Sequence, residues 1–193
     1  VVALTGNSIA FPAINKSHPQ GGLMIEVEVS RAINNIVCPN TLPLLRCHES
    51  VAGVYDAFSA GVSLGVIDSL SYCFSFSKRS LDKLNTRNNY VMGDSLSLAV
   101  FIAIVATAST KRMSTSVAVT GAIHQVQGEF ISAPVAEIKQ KLVLADREGF
   151  SRIYVPRKNF LEASSYAKSH LEIIPLPPEL TKLIDVVMQK EGF

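Results

Sequence analysis

The chain has 193 residues, with apolar side chains at 48% and charged ones at 18%. That length and composition suit one domain with a sizeable core and exclude a disordered, collagen-like or low-complexity polymer. Lys and Arg number 18 against 16 Asp and Glu, a formal charge of +2. No cation cluster exceeds a pair such as Lys78-Arg79, so direct nucleic-acid contact is not expected.

Residues 9–14 and 23–29 read as strands. In the second, Met24-Ile25-Glu26-Val27-Glu28-Val29 alternates apolar and acidic side chains, as on a sheet with one wet face. The link over 15–22 carries Pro19 and Gly21-Gly22 and predicts a turn. Pro39 and Pro43 mark a loop. Residues 51–67, rich in Val, Ala and Gly, predict a packed helix in which Gly53, Gly61 and Gly65 admit a close neighbour. Residues 70–76 read as a strand, and the polar stretch 78–90, with Asn85, Asn88 and Asn89, as a loop.

Gly93-Asp94-Ser95 then precedes a segment, 96–106, with one polar member. Apolar on all faces, it predicts a helix buried in the middle of the domain. Residues 116–119 alternate as a strand into Thr120-Gly121, and 128–132 read as a short strand. Pro134 suits the first turn of a helix that runs to Glu148 and stops at Gly149. Residues 152–155 predict a strand closed by Pro156, and Asn159 can cap a helix over 160–169. Residues 171–174 form one more strand. After Pro175, Pro177 and Pro178 comes a last amphipathic helix, 179–189, burying Leu180, Leu183, Ile184 and Val187. Strands alternating with helices give an α/β or α+β class in one domain spanning 1–193, without repeat or linker.

Three cysteines, Cys38, Cys47 and Cys73, have no CxxC spacing and read as small buried hydrophobes in a reducing, cytoplasmic compartment. The opening Val1-Val2-Ala3 reads as an excised domain or processed fragment rather than a secreted precursor. The longest apolar run, 96–108, is too short to span a membrane. His18, His48, His124 and His170 lie at no metal-binding spacing, and no metal or cofactor is expected in this domain. Neither a GxSxG elbow nor a phosphate-binding loop occurs.

A serine at the tip of a buried helix has two readings. Asp94 or Ser95 caps the first turn, which needs no chemistry. Alternatively, helix-terminal amides form an anion pocket beside a nucleophilic Ser95. A lysine could activate it. Lys141 sits beside Ile138, Leu142 and Ala145, where burial would drive its amine toward the neutral form. Lys139 flanks the same apolar face, and helical periodicity does not choose between them.

These motifs, taken together, resemble the proteolytic domain of the Lon protease family of Ser-Lys peptidases. Gly93-Asp94-Ser95 and the small, apolar helix after it are similar to the Gly-Asp-Ser-Ala-Ser motif of the archaeal membrane-associated branch. Val117-Ala118-Val119-Thr120-Gly121 resembles the family's Ala-(Met/Val)-Thr-Gly segment. The stretch from Pro134 through Lys141-Leu142 resembles Pro-(Ile/Val)-Gly-Gly-(Leu/Val)-x-x-Lys-(Leu/Ile). Gly149-Phe150, Tyr154-Val155-Pro156 and Asn159 follow in the family's order, as does the strand Leu171-Glu172-Ile173-Ile174. The resemblance covers about 91–188, with a short insertion near 125–133; before Val91 only the order of elements is similar.

The resemblance implies a serine endopeptidase in which Ser95 is the nucleophile and Lys141 its general base. Thr120 would orient the amine, and Gly93 and Asp94 would shape the nucleophile turn. Amides at Ser95 and its neighbours would form the oxyanion hole. It also implies a ring, usually a hexamer, fed with unfolded polypeptide by an ATPase domain that would carry ATP and Mg. Two other outcomes are compatible with the resemblance: an idle Lon-like assembly module, or an ATP-independent viral-type processing protease. Three residues depart from the family pattern. Met92 stands where the family has an acid, Ala136-Glu137 replaces Gly-Gly, and Ala122 replaces the acid after Thr-Gly.

Overall fold

The computed structural model describes residues 7–14, 21–31, 41–45, 47–68, 72–86, 91–166 and 170–193. Residues 15–20 of the turn expected over 15–22, the loop at Pro39, and His18, Cys38, Asn88 and Asn89 lie outside the described residues. In chain order the elements are β1 (Asn7–Ile14), β2 (Gly22–Arg31), a 3-10 turn (Leu42–Leu44), α1 (His48–Ser63), β3 (Tyr72–Phe76), α2 (Lys78–Thr86) and α3 (Ser97–Ala108). There follow β4 (Val117–Val119), β5 (Ala122–Val126), β6 (Glu129–Ala133), α4 (Ile138–Arg147), β7 (Arg152–Pro156), α5 (Arg157–Ser164), β8 (Glu172–Leu176) and α6 (Leu180–Glu191).

Six strands form one mixed sheet in the order β3-β2-β1-β4-β7-β8, and β5 and β6 form a separate hairpin. The β1–β2 and β2–β3 pairs are antiparallel, whereas β1–β4, β4–β7 and β7–β8 are parallel. Alternate residues feed two cores, because successive side chains of a strand leave on opposite faces. Phe11, Val27, Val119 and Tyr154 join α1, α3 and α6 on one side, while Ala10, Ala118, Ile153 and Val155 join α4 and α5 on the other. The expected α/β architecture is therefore present. Helix α3 is its centre, with residues 97–107 all buried. No helix of the described residues is long and apolar enough to cross a membrane.

Several local expectations are corrected. Residues 78–86, read as loop, form α2: the Ser77 hydroxyl accepts from the Ser80 amide, and Ser80 and Leu84 are buried. Of the asparagines that argued for a loop, Asn85 lies exposed within this helix. Helix α1 stops at Ser63 rather than running to 67, because Gly65 turns left-handed (φ +69°) and its amide donates to Val62 O at 3.0 Å. The strand expected at 128–132 is one arm of a hairpin whose other arm, β5, went unread. Its two-residue turn is Gln127-Gly128, with φ +51° and +84°, the geometry that matches strand twist. Helix α4 begins at Ile138, not Pro134. Asn159 explains why: rather than capping α5, it lies inside that helix and clamps Val135, its Nδ2 donating to Val135 O and its Oδ1 accepting from Val135 N, both at 2.9 Å. That pair of bonds holds the Pro134 segment extended. Cys73 is buried as expected but disulfide-bonded, against the expectation of cysteines kept reduced, while Cys47 is free and only partly buried.

Candidate active site

The turn that carries Ser95 is fastened from three directions. Gly93 takes φ +78°, its amide donates to Cys47 Sγ at 3.0 Å, and its carbonyl accepts from Ser50 Oγ at 2.6 Å. Ser97 Oγ donates to Asp94 O and accepts from Ile123 N, both at 2.8 Å, tying the turn to β5. The Gly121 amide donates to Ser95 O at 3.4 Å. Helix α1 packs against the same turn at Gly53, where a Cβ would lie 3.3 Å from both Asp94 Cβ and Ser97 Cβ. Ser95 is left half-buried at the tip of α3.

Neither Asp94 nor Ser95 caps α3 through its side chain. The cap position falls at Leu96, with no side-chain bond. The Asp94 carboxylate turns instead to β5, where His124 Nε2 donates to its Oδ2 at 2.7 Å. The simple capping reading of this serine is therefore not realised, and its hydroxyl has no hydrogen-bond partner among the described residues.

Thr120 and Gly121 follow β4 at its carboxyl end. The Thr120 amide donates to Tyr154 O at 3.0 Å, but its fully buried Oγ1 meets no partner among the described residues. Gly121 has φ +155°, and a Cβ there would sit 2.4 Å from Leu98 Cδ2. Only glycine allows the chain to pass so close to α3.

The structure separates the two lysines. Lys139 is exposed, whereas Lys141 is 6% exposed among Ile138, Leu142 and Ala145. Burial lowers the Lys141 amine from about 10.5 to about 8, opposed by the carboxylates of Glu137 and then Asp94. No carboxylate lies within ion-pair distance of the amine among the described residues. Glu137, on the α4 side, holds φ +60° and ψ +37° immediately before the helix. That left-handed geometry is easy for glycine and costs other residues of order 1 kcal/mol, so the Ala136-Glu137 departure carries local strain.

Ser95 Oγ and Lys141 Nζ are not hydrogen-bonded, and Thr120 does not reach the amine with its hydroxyl. The turn of Ser95 meets the Thr120-Gly121 segment through the Gly121 amide, and Asp94 acts on the Lys141 amine through its charge, but no hydrogen bond joins the side chains of Ser95, Thr120 and Lys141. Of the other departures, Met92 is 63% exposed beside the turn and Ala122 is buried. Among the described residues no three of His, Cys, Asp and Glu gather as a metal site.

Three residues escaped the sequence reading. Cys47 and Ser50 hold Gly93, and His124 holds Asp94. No local pattern marks them, because each acts across at least 30 residues of chain.

A family model for the Lon protease C-terminal proteolytic domain matches residues 91–190, just over half of the chain. A search of curated proteins finds no match. The matched span begins just before the turn that carries Ser95 and also contains Thr120 and Lys141. With a serine at the tip of a buried helix and a buried lysine in the matched span, the chain belongs to the Lon protease C-terminal proteolytic domain family, a family of serine peptidase domains.

Proposed function

We propose that this domain is an endopeptidase working through a Ser95–Lys141 dyad. The observation that carries the reading is the buried Lys141 amine, lowered to about 8 and without a paired carboxylate. An amine in that state is neutral often enough near neutral pH to take a proton.

The mechanism follows from these assigned roles. Lys141 accepts the Ser95 proton as Oγ attacks the scissile carbonyl. The Ser95 amide, which has no acceptor among the described residues, suits the resulting oxyanion. The Gly93 amide does not, being held by Cys47 Sγ. The ammonium then protonates the leaving amine, giving an acyl-enzyme and a released peptide. Water, losing its proton to the same amine, releases the acyl group and restores the hydroxyl. Thr120 Oγ1, buried without a partner, is suited to receive and orient the Lys141 amine once the site closes. Contacts of this kind commonly tighten only with substrate present.

We further infer a ring of such domains, a hexamer in the family, fed with unfolded chains by an ATPase that carries the ATP and Mg. The open Ser95–Lys141 geometry favours one rival, an idle assembly module. The test is cleavage of casein by the full-length protein, with and without ATP, against Ser95→Ala and Lys141→Ala. Loss of cleavage in both variants, by 1000-fold or more, is the expected result. Equal background in all three would establish the idle module, and cleavage indifferent to ATP would point to the viral-type enzyme.

A further inference from the structure

His124 has no place in the dyad, yet it makes a close polar contact with the turn that carries Ser95. Its Nε2 lies 2.7 Å from Oδ2 of Asp94, the residue immediately before Ser95. The ring stands on β5, which Ser97 Oγ fastens to the same turn through the Ile123 amide. Both partners of the pair are partly exposed, so on its own the contact contributes little to stability, about 0.2–1 kcal/mol.

The contact matters for where the Asp94 charge is kept. Two carboxylates act on the Lys141 amine: Glu137 at the start of its own helix, and Asp94 on the turn before α3. Around the His124–Asp94 pair the further charged group is Asp56 of α1, whose carboxyl is raised chiefly by burial, with His124 opposing and Asp94 adding to the rise. A carboxylate that closed on the buried amine would hold it as ammonium and take the base out of action. In the structure Asp94 is bonded to His124 and makes no ion pair with Lys141.

We propose that His124 is a positioning residue of the active site, holding the Asp94 carboxylate on β5 and away from the Lys141 amine. It touches neither substrate nor the reacting atoms. The inference rests on the dyad reading above, and it extends that reading to the control of the base. The donor required is one ring N–H, which neutral imidazole supplies in the Nε2–H tautomer, so the device does not depend on a charged histidine.

The experiment is a pH profile of kcat/KM for the full-length protein, with a titration of the Lys141 amine by NMR of protein labelled at lysine Cε. The Lys141 signal is identified by its loss in Lys141→Met. In His124→Ala, Asp94 is free to approach the amine. The acid limb and the amine titration should both move up by about one pH unit, cutting activity about tenfold at pH 7 and sparing it above about pH 10. His124→Gln retains an N–H donor and should restore most of the difference. In His124→Ala combined with Asp94→Asn, the limb should return to the parent position or below it.

A His124→Ala profile superimposed on the parent, or an upward shift that survives Asp94→Asn, would overturn the proposal. Failure of the dyad itself looks different, because Ser95→Ala and Lys141→Ala would then cleave as the parent does. The NMR titration needs no turnover and decides the matter even for an inactive protein.

Discussion

Two buried polar clusters of this domain are built on opposite terms. At the C-terminal end, the Glu191 side chain is 4% exposed and receives two donors, Arg152 Nη1 at 2.8 Å and the Tyr154 hydroxyl. Glu172 adds a further carboxylate that pairs with both Arg152 and Lys190. At the candidate active site, Lys141 is buried with no paired carboxylate, and Thr120 Oγ1 has no partner among the described residues. The first arrangement pairs its charges and anchors α6 to β7, although Arg152 Nε makes no hydrogen bond among the described residues. The second leaves polar groups unsatisfied at a cost in stability, which is the condition a working base requires.

Removing the charge from each cluster should move stability in opposite directions, with the largest change at the active site. Lys141→Met should stabilise the fold at pH 7, by roughly 3 kcal/mol at most, for a downward shift from about 10.5 to about 8. The sign follows from proton binding: between those values the unfolded chain holds a proton that the folded chain has released. Parent stability should therefore rise with pH across that window, and the advantage of Lys141→Met should shrink there and vanish above it. Urea melts between pH 7 and 11 check both. An unchanged or lower stability in Lys141→Met at pH 7 would contradict the unpaired, buried amine.

Glu191→Gln should destabilise by about 1–3 kcal/mol, since it leaves Arg152 without its closest acidic partner. Its denaturant midpoint should fall while cleavage below the transition is kept. Thr120→Val removes the unpartnered hydroxyl and should stabilise by about 1 kcal/mol, yet lower kcat if that hydroxyl orients the amine. A parallel loss of stability would mean that Thr120 Oγ1 has a partner in solution.

The smallest effect is expected at Glu137. Glu137→Gly relieves the left-handed backbone and is expected to gain about 0.5–1 kcal/mol. It also removes the larger of the two acidic influences on Lys141, so the acid limb of activity should move down. A limb that moves up would show that Glu137 does not act on the amine.

The local signals in the sequence were strongest where chain neighbours settle the structure. The run 96–108 is apolar at nearly every position, so it had to be buried however the rest folded. Alternation in β2 and the wet Glu26 and Glu28 likewise follow from adjacent residues. Helix α2 was obscured because asparagines argued for a loop while its support came from Ser77 and two buried contacts. The start of α4 was misplaced because proline tolerates both outcomes, and the deciding bonds come from Asn159, 24 residues later. Ser95 and Lys141 were legible as candidates, but only as alternatives to a cap and to Lys139.

What the sequence determined by itself was the inventory: a buried helix with a serine at its tip, a lysine among apolar neighbours, and strands alternating with helices. Tertiary structure decided which groups are paired. Cys47 and Ser50 reach Gly93 across more than 40 residues, and His124 reaches Asp94 across 30. The physical reason is that hydrophobic patterning is repeated over many residues and is read locally. A hydrogen bond needs one donor and one acceptor brought within about 3 Å, and only the folded sheet brings distant strands and turns that close.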